Sequence, residues 1–413
     1  MARLLLVLIL LSSLLGCKNA AVLPGPKDYV YILRYDRGPK GGAFIDQYSV
    51  TSDQKIRSFD ADYSMVYLSV MSNGKVWCTY GANFDETIQK VRELDPLTGK
   101  ISDVLSHPSK DADQIFDLGD KFYIRVETII ASDDYIQKHP NLAPWQHGGF
   151  EVYKKRNGHP KLDSFIRFDL DGFILGASMT ASRDSLYVTM EPVFLLDDKL
   201  KETRKEGIST VGRTFNENQY SWIGEIDTQT DKVKRVISLD PYLRGVWGIK
   251  VVGDYLYVTA LEKETYNWDI KRDRTEIGDK RAREKTPYTP KFSEEMRDYN
   301  RSLFVFTLNP FKLVKKIPIE AMGRRMEVDP EAKRLFVLHE GGMGSPIGLL
   351  TAIDTETQTR IGQMLIPRIR MIGYAGHHRL YVTTSEKLLI IDTTTLKVVK
   401  EVPGEFGMIA HRW

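Results

Sequence analysis

Seven times along this chain an apolar run centres an aromatic residue in a β-type triplet: Val30-Tyr31-Ile32, Val76-Trp77-Cys78, Phe122-Tyr123-Ile124, Leu186-Tyr187-Val188, Leu256-Tyr257-Val258, Leu335-Phe336-Val337 and Leu380-Tyr381-Val382. A period near 45 residues, longer in the middle of the chain, marks an array of repeated β units. A second element accompanies it, an apolar strand end followed by an Asp-initiated polar turn. It is clearest at Leu94 to Lys100, Ile226 to Lys232, Ile353 to Thr359 and Ile391 to Lys397, with looser copies at Tyr48 to Thr51, Phe168 to Gly172 and Leu308 to Phe311. Asp at that position hydrogen-bonds its own turn, so each copy reads as a hairpin.

One further candidate strand separates each hairpin from the next triplet, as at Val246 to Val252, Arg325 to Val328 and Arg370 to Tyr374. The unit is then four antiparallel strands, which cannot bury both faces alone and does so by packing radially around an axis. The expected fold is all-β, a seven-bladed β-propeller of four-stranded antiparallel blades. The domain spans residues 28–413. It starts on a second strand, Tyr29 to Tyr35, and ends on a spare first strand, Phe406 to Trp413. Pairing of these N-terminal and C-terminal strands in one blade would close the ring and tie down both ends.

Leu-Tyr-Val-Thr at Leu380 to Thr383, followed by Ile-Asp-Thr-x-Thr at Ile391 to Thr395, resembles the YVTN-type β-propeller repeat. That resemblance implies a fold used by binding modules, surface-layer components and a few enzymes, so it speaks to architecture more than to activity.

Residues 1–16 read as an export signal: Arg3, then the apolar stretch Leu4 to Leu15, too short for a bilayer span of roughly 20 residues. Leu14-Leu15-Gly16-Cys17 resembles a bacterial lipobox. The resemblance implies lipidation of Cys17 and a tether over 17–27. It also implies an extracytoplasmic, lipid-anchored protein of the bacterial cell envelope, in the outer membrane if the host has two, since Lys18 follows the cysteine in place of Asp. Cys17 and Cys78 are the two cysteines, so the mature body keeps one thiol and no internal disulfide. The net charge of +3 argues against nucleic acid as a partner.

Three neighbouring units carry long segments between the second and third strands, near 129–161, 191–219 and 262–300. Connections of this length are commonly functional. The third is strongly charged over Asp269 to Lys285 and contains a candidate helix, Ser293 to Tyr299. The first holds His139, Trp145, His147 and His159, whose spacing matches no compact ligand motif, and neither metal nor other cofactor is expected.

On the same face the fifth, sixth and seventh units supply Arg244, Arg324, Arg325, Arg368 and Arg370, while Asp60, Asp62, Asp111 and Asp113 occupy the opposite arc. Convergent guanidinium groups would clamp a carboxylate or phosphate through paired donors. His339 and Glu340, beside Gly341 to Gly344, offer proton-transfer groups, although neighbours in a strand point to opposite faces. The favoured reading is a binding module for an anionic small molecule or an envelope protein. A hydrolase or lyase using His339 and Glu340, and an assembly scaffold, are the alternatives.

Overall fold

The computed structural model describes residues 28–36, 42–61, 65–80, 89–107, 112–126, 149–156, 159–168, 173–182, 184–192, 222–239, 243–262, 302–319, 323–340 and 348–411. Their twenty-eight strands form seven four-stranded antiparallel sheets, the blades of a propeller. Blades 2 to 7 each use four consecutive strands. Blade 1 instead joins Glu405–His411 to Tyr29–Asp36, Gly42–Ser49 and Lys55–Ala61, so the two ends of the chain share one sheet and close the ring.

Every aromatic triplet lies in the second strand of its blade, and the alternation of a strand explains its use. The central aromatic faces the following blade while its two neighbours face the preceding one. Tyr31 packs with Leu68 and Val76 of blade 2, and Val30 and Ile32 pack with Tyr381 and Leu388 of blade 7. The pattern holds around the circle, giving seven apolar clusters, one at each blade boundary. Tyr123, Tyr257 and Tyr381 also carry their hydroxyls to the third-to-fourth-strand turn of the next blade.

Ladders between second and third strands are regular in all seven blades. The outer two ladders are each interrupted. Between third and fourth strands one extra residue always bulges from the outer strand: Ile56, Val104, Asp163, Lys234, Val314, Ile361 and Val399. Such bulges twist an edge strand away from edge-to-edge pairing. The pairing of first with second strand also shifts in every blade, on the inner wall.

Glycine permits the inner strands to approach one another. A Cβ on Gly248 would lie 3.0 Å from the carbonyl oxygen of Arg324 in the next blade, and one on Gly373 would lie 2.6 Å from Ile409. Hydroxyls replace missing ladder bonds there: Ser178 Oγ and Thr180 Oγ1 accept from the backbone N–H groups of Ile249 and Val251.

Two expectations change in blade 3. Its third strand is Gly149–Arg156 and its fourth His159–Ile166, so the segment expected to run 129–161 lies between Val126 and Gly149. Arg156 pairs with His159, and residues 157–158, which join the two strands, lie outside the described residues. Phe168 to Gly172, read as the turn between third and fourth strands, instead follows the fourth strand and leads to the inner strand of blade 4, Phe173–Ala181. His159 consequently sits at the opposite end of the blade from the segment holding His139, Trp145 and His147, which lie outside the described residues.

Candidate functional site

The two ends of the ring differ in their connections. Connections between first and second strands in blades 2 to 7, and between third and fourth strands in every blade, are short. Asp95, Asp227, Asp354 and Asp392 each accept two backbone N–H groups of their own turn. Those bonds hold the carboxyls of Asp227 and Asp354 below the usual carboxylate range. At the other end, second-to-third connections occupy 127–148, 193–221 and 263–301 in blades 3, 4 and 5. Blades 1, 2, 6 and 7 use 37–41, 81–88, 341–347 and 385–386. All the long segments therefore leave one end of three adjacent blades.

The inner-wall bulges lie toward this same end and coincide with several charged positions singled out in the sequence. Arg324 is the extra residue between Gly323 and Arg325 in blade 6, Arg370 that between Ile369 and Met371 in blade 7, and Asp113 that between Ala112 and Gln114 in blade 3. A bulge re-aims its side chain, and bulges recur beside binding sites. Equivalent positions on the wall are thus basic in two blades and acidic in a third.

The arginines nonetheless have separate commitments. Arg370 donates from Nη2 to Glu405 Oε1 at 2.7 Å and from Nη1 to the Phe406 carbonyl at 3.3 Å, tying blade 7 to the closing strand of blade 1. Arg368, in the left-handed conformation at φ 55°, pairs with Glu386, and both side chains are largely exposed. Arg324 is half-buried and partnered. Arg325 is half-buried beside it, and its side chain makes no bond with another described residue. Arg244 opens the inner strand of blade 5 opposite Leu261; its side chain lies outside the described residues.

His339 is fully buried, with Nε2 2.9 Å from Thr351 Oγ1, which also accepts from Gln363 Nε2 at 3.4 Å. These bonds link the second, third and fourth strands of blade 6. Glu340 ends the same strand opposite Gly348, and its side chain is outside the described residues. So are Cys17, Asp62, Asp111, residues 341–347 and 293–299, and the side chain of Asp113. Asp60 is exposed on the outer strand of blade 1.

Two buried charges went unnoticed in the sequence, one on each face of the same sheet. Arg125 and Glu151, on the second and third strands of blade 3, are essentially fully buried at the foot of the 127–148 segment. Tyr153 Oη donates to Glu151 Oε2 at 2.8 Å, and both charged groups are partnered. Buried charges are expensive unless paired and cluster at functional sites. The signal was positional. The residue after the triplet is Leu33, Thr79, Thr189, Thr259, Leu338 or Thr383 in the other six blades. Thr189 and Thr259 bond the inner strand of their own blade, at Ser178 O and Gly248 O, and Thr383 that of the next blade, at Gly407 O.

No family model matches the chain, and no curated protein matches it. Solved structures do. A putative 6-phosphogluconolactonase from Bacteroides uniformis aligns at a TM-score of 0.54 with 10% identity, covering 92% of this chain and 99% of that one. Hydrazine synthase from Kuenenia stuttgartiensis aligns at 0.51 with 11% identity, covering 94% and 98%. At such identities the likeness concerns the fold, that of a seven-bladed β-propeller.

Proposed function

We propose that this protein is a binding module of the bacterial envelope that recognises its ligand or protein partner with the end of the ring bearing the long connections. The observation that carries the reading is the asymmetry of the connections: one end of every blade is closed by short turns, while blades 3, 4 and 5 leave their long segments at the other. Rigid blades carrying variable connections are a common basis for recognition. An anionic small ligand is the finer form of the proposal, and Arg325 is its anchor, because its guanidinium is uncommitted among the described residues. The burial of His339 and its bond to Thr351 favour binding over a hydrolase or lyase. Cys17 would carry the lipid that holds the module to the membrane.

Thermal stabilisation by a panel of carboxylates and phosphates, for the parent protein and Arg325→Ala, tests the ligand. A shift in the parent that is lost in the variant supports it; no shift with any anion, or equal shifts, refutes it. Membrane fractionation of Cys17→Ser against the parent separately tests the anchor, which fails if the two distribute alike.

A further inference from the structure

The point where the tether meets the ring coincides with a patch that the recognition end does not use. The strand Tyr29–Asp36 starts at the short-turn end, where Val50 N donates to Asp28 O at 3.0 Å. Residues 18–27 therefore join the ring at the end opposite the long connections. Along this edge lie Leu97 (73% exposed), Ile56 (52%) and the neighbours Val398 and Val399. They come from three blades joined side by side. Arg57, next to Ile56, donates from Nη1 to Leu97 O at 3.5 Å, and Lys400, next to Val399, donates to Asp53 O at 2.6 Å.

Charge on this edge is basic. Lys55, Lys100 and Lys397 are exposed within it. The acids of the same turns are occupied, Asp53 and Asp392 by Arg379 and Asp95 by Lys75, while Lys55 lies 3.8 Å from the buried Asp46. Aliphatic side chains interspersed with exposed lysines suit the interface of an anionic bilayer, where each lysine strengthens binding roughly five-fold.

Tether length restricts the alternatives. Ten residues reach at most about 35 Å and average about 18 Å as a flexible chain. To turn the long-connection end toward the membrane, they would have to pass two strands outward and climb the strand height, together about 36 Å. Inversion would therefore use the whole contour, whereas resting the tether-side edge on the membrane needs little of it.

We propose that the edge formed by blades 7, 1 and 2 around Leu97, Ile56, Val398 and Val399 is a docking surface for an anionic lipid bilayer, which turns the recognition end away from the membrane. The orientation rests on the Cys17 anchor of the preceding reading; the lipid affinity of the edge does not. The test therefore uses the chain begun at Lys18, which retains all twenty-eight strands and carries no lipid. Its binding is measured to phosphatidylglycerol-containing vesicles and to pure phosphatidylcholine vesicles.

Preference for the anionic vesicles is expected, with affinity falling on the order of a hundred-fold on combining Lys55→Gln, Lys100→Gln and Lys397→Gln. Leu97→Asp with Val399→Asp should weaken binding at least about ten-fold. Val314→Asp with Ile361→Asp, at the same outer-strand bulge in blades 5 and 6, should leave it within about two-fold. A thiol dye at Leu97→Cys should shift its emission on binding, and one at Glu386→Cys, at the opposite end, should not. Equal binding to both vesicles, equal effects of the two Asp pairs, or equal dye responses would each overturn the proposal.

Discussion

Replacing Asp329 with Asn should show how strongly blades 6 and 7 depend on one buried carboxylate. Asp329 is fully buried between the short turns of the two blades. Its Oδ1 accepts the N–H groups of Glu331 at 3.0 Å and Ala332 at 2.9 Å, while Oδ2 accepts Nδ1–H of His378 at 2.9 Å and the Thr393 hydroxyl. Burial alone would raise its pKa, but the bonds from Thr393, Ala332 and His378 outweigh burial and hold it below the ordinary carboxylate range. Asn preserves the Oδ1 half and puts an NH2 where Oδ2 stood. The threonine hydroxyl can rotate to accept from it, so the principal loss is of charge-assisted bonds, about 2–3 kcal/mol. A carboxylate with a depressed folded pKa stabilises above its unfolded value, near 4, and loses that stabilisation as pH falls through the folded value. Denaturant unfolding of both proteins should therefore give a deficit of about 2–3 kcal/mol at pH 7 that shrinks below roughly pH 4. A deficit under about 0.5 kcal/mol at pH 7, or one undiminished at pH 2.5, would refute the reasoning.

Four further outcomes follow from the surroundings of particular residues. Gly348→Ala puts a Cβ 1.8 Å from Ile369 Cγ2 and 2.8 Å from the Ile366 carbonyl, so it should lower stability by about 1–3 kcal/mol, measurable as a fall in denaturation midpoint. Cys78 is sealed in the cluster between blades 1 and 2 and burial pushes its thiol up to about 12, so it should resist alkylation at pH 8 until the protein unfolds; rapid native-state labelling would contradict this. Arg370→Ala should cost about 1–2 kcal/mol by releasing Glu405 and the Phe406 carbonyl. Arg325→Ala, with no bond among the described residues to lose, should stay within about 0.5 kcal/mol in the same urea titration.

The repeat was legible because packing between blades imposes one chemistry at one register. Tyr31, Trp77, Tyr123, Tyr187, Tyr257, Phe336 and Tyr381 must each fill a blade boundary, so an aromatic recurs in a β-type triplet and can be counted. The hairpins were legible for a similar local reason, the Asp that bonds its own turn. Blade 3 was misread where local signals competed: Phe168 to Gly172 looks like the other hairpins, while Asn157-Gly158, in the sequence between the paired Arg156 and His159, is a signal of a different kind. The arginines were found as residues but not as partners. Arg370 looked available for a ligand, yet its bond to Glu405 spans 35 residues and depends on ring closure. His339 beside Glu340 suggested proton transfer, and nothing local in the sequence showed that its imidazole is buried and bonded to Thr351.

Taken alone, the sequence determined the all-β class, the number of blades, the joining of the chain ends and the three blades with long connections, because these follow from periodicity and local turn chemistry. Tertiary structure decided what no local pattern contains. It brought Arg324, Arg370 and Asp113 to equivalent bulges on the inner wall, buried Arg125 and Glu151 on opposite faces of one sheet, and gathered Leu97, Ile56 and Val399 beside the tether. The physical reason is that a ladder's register and a blade's neighbours set which side chains meet. Both are settled only when the ring closes.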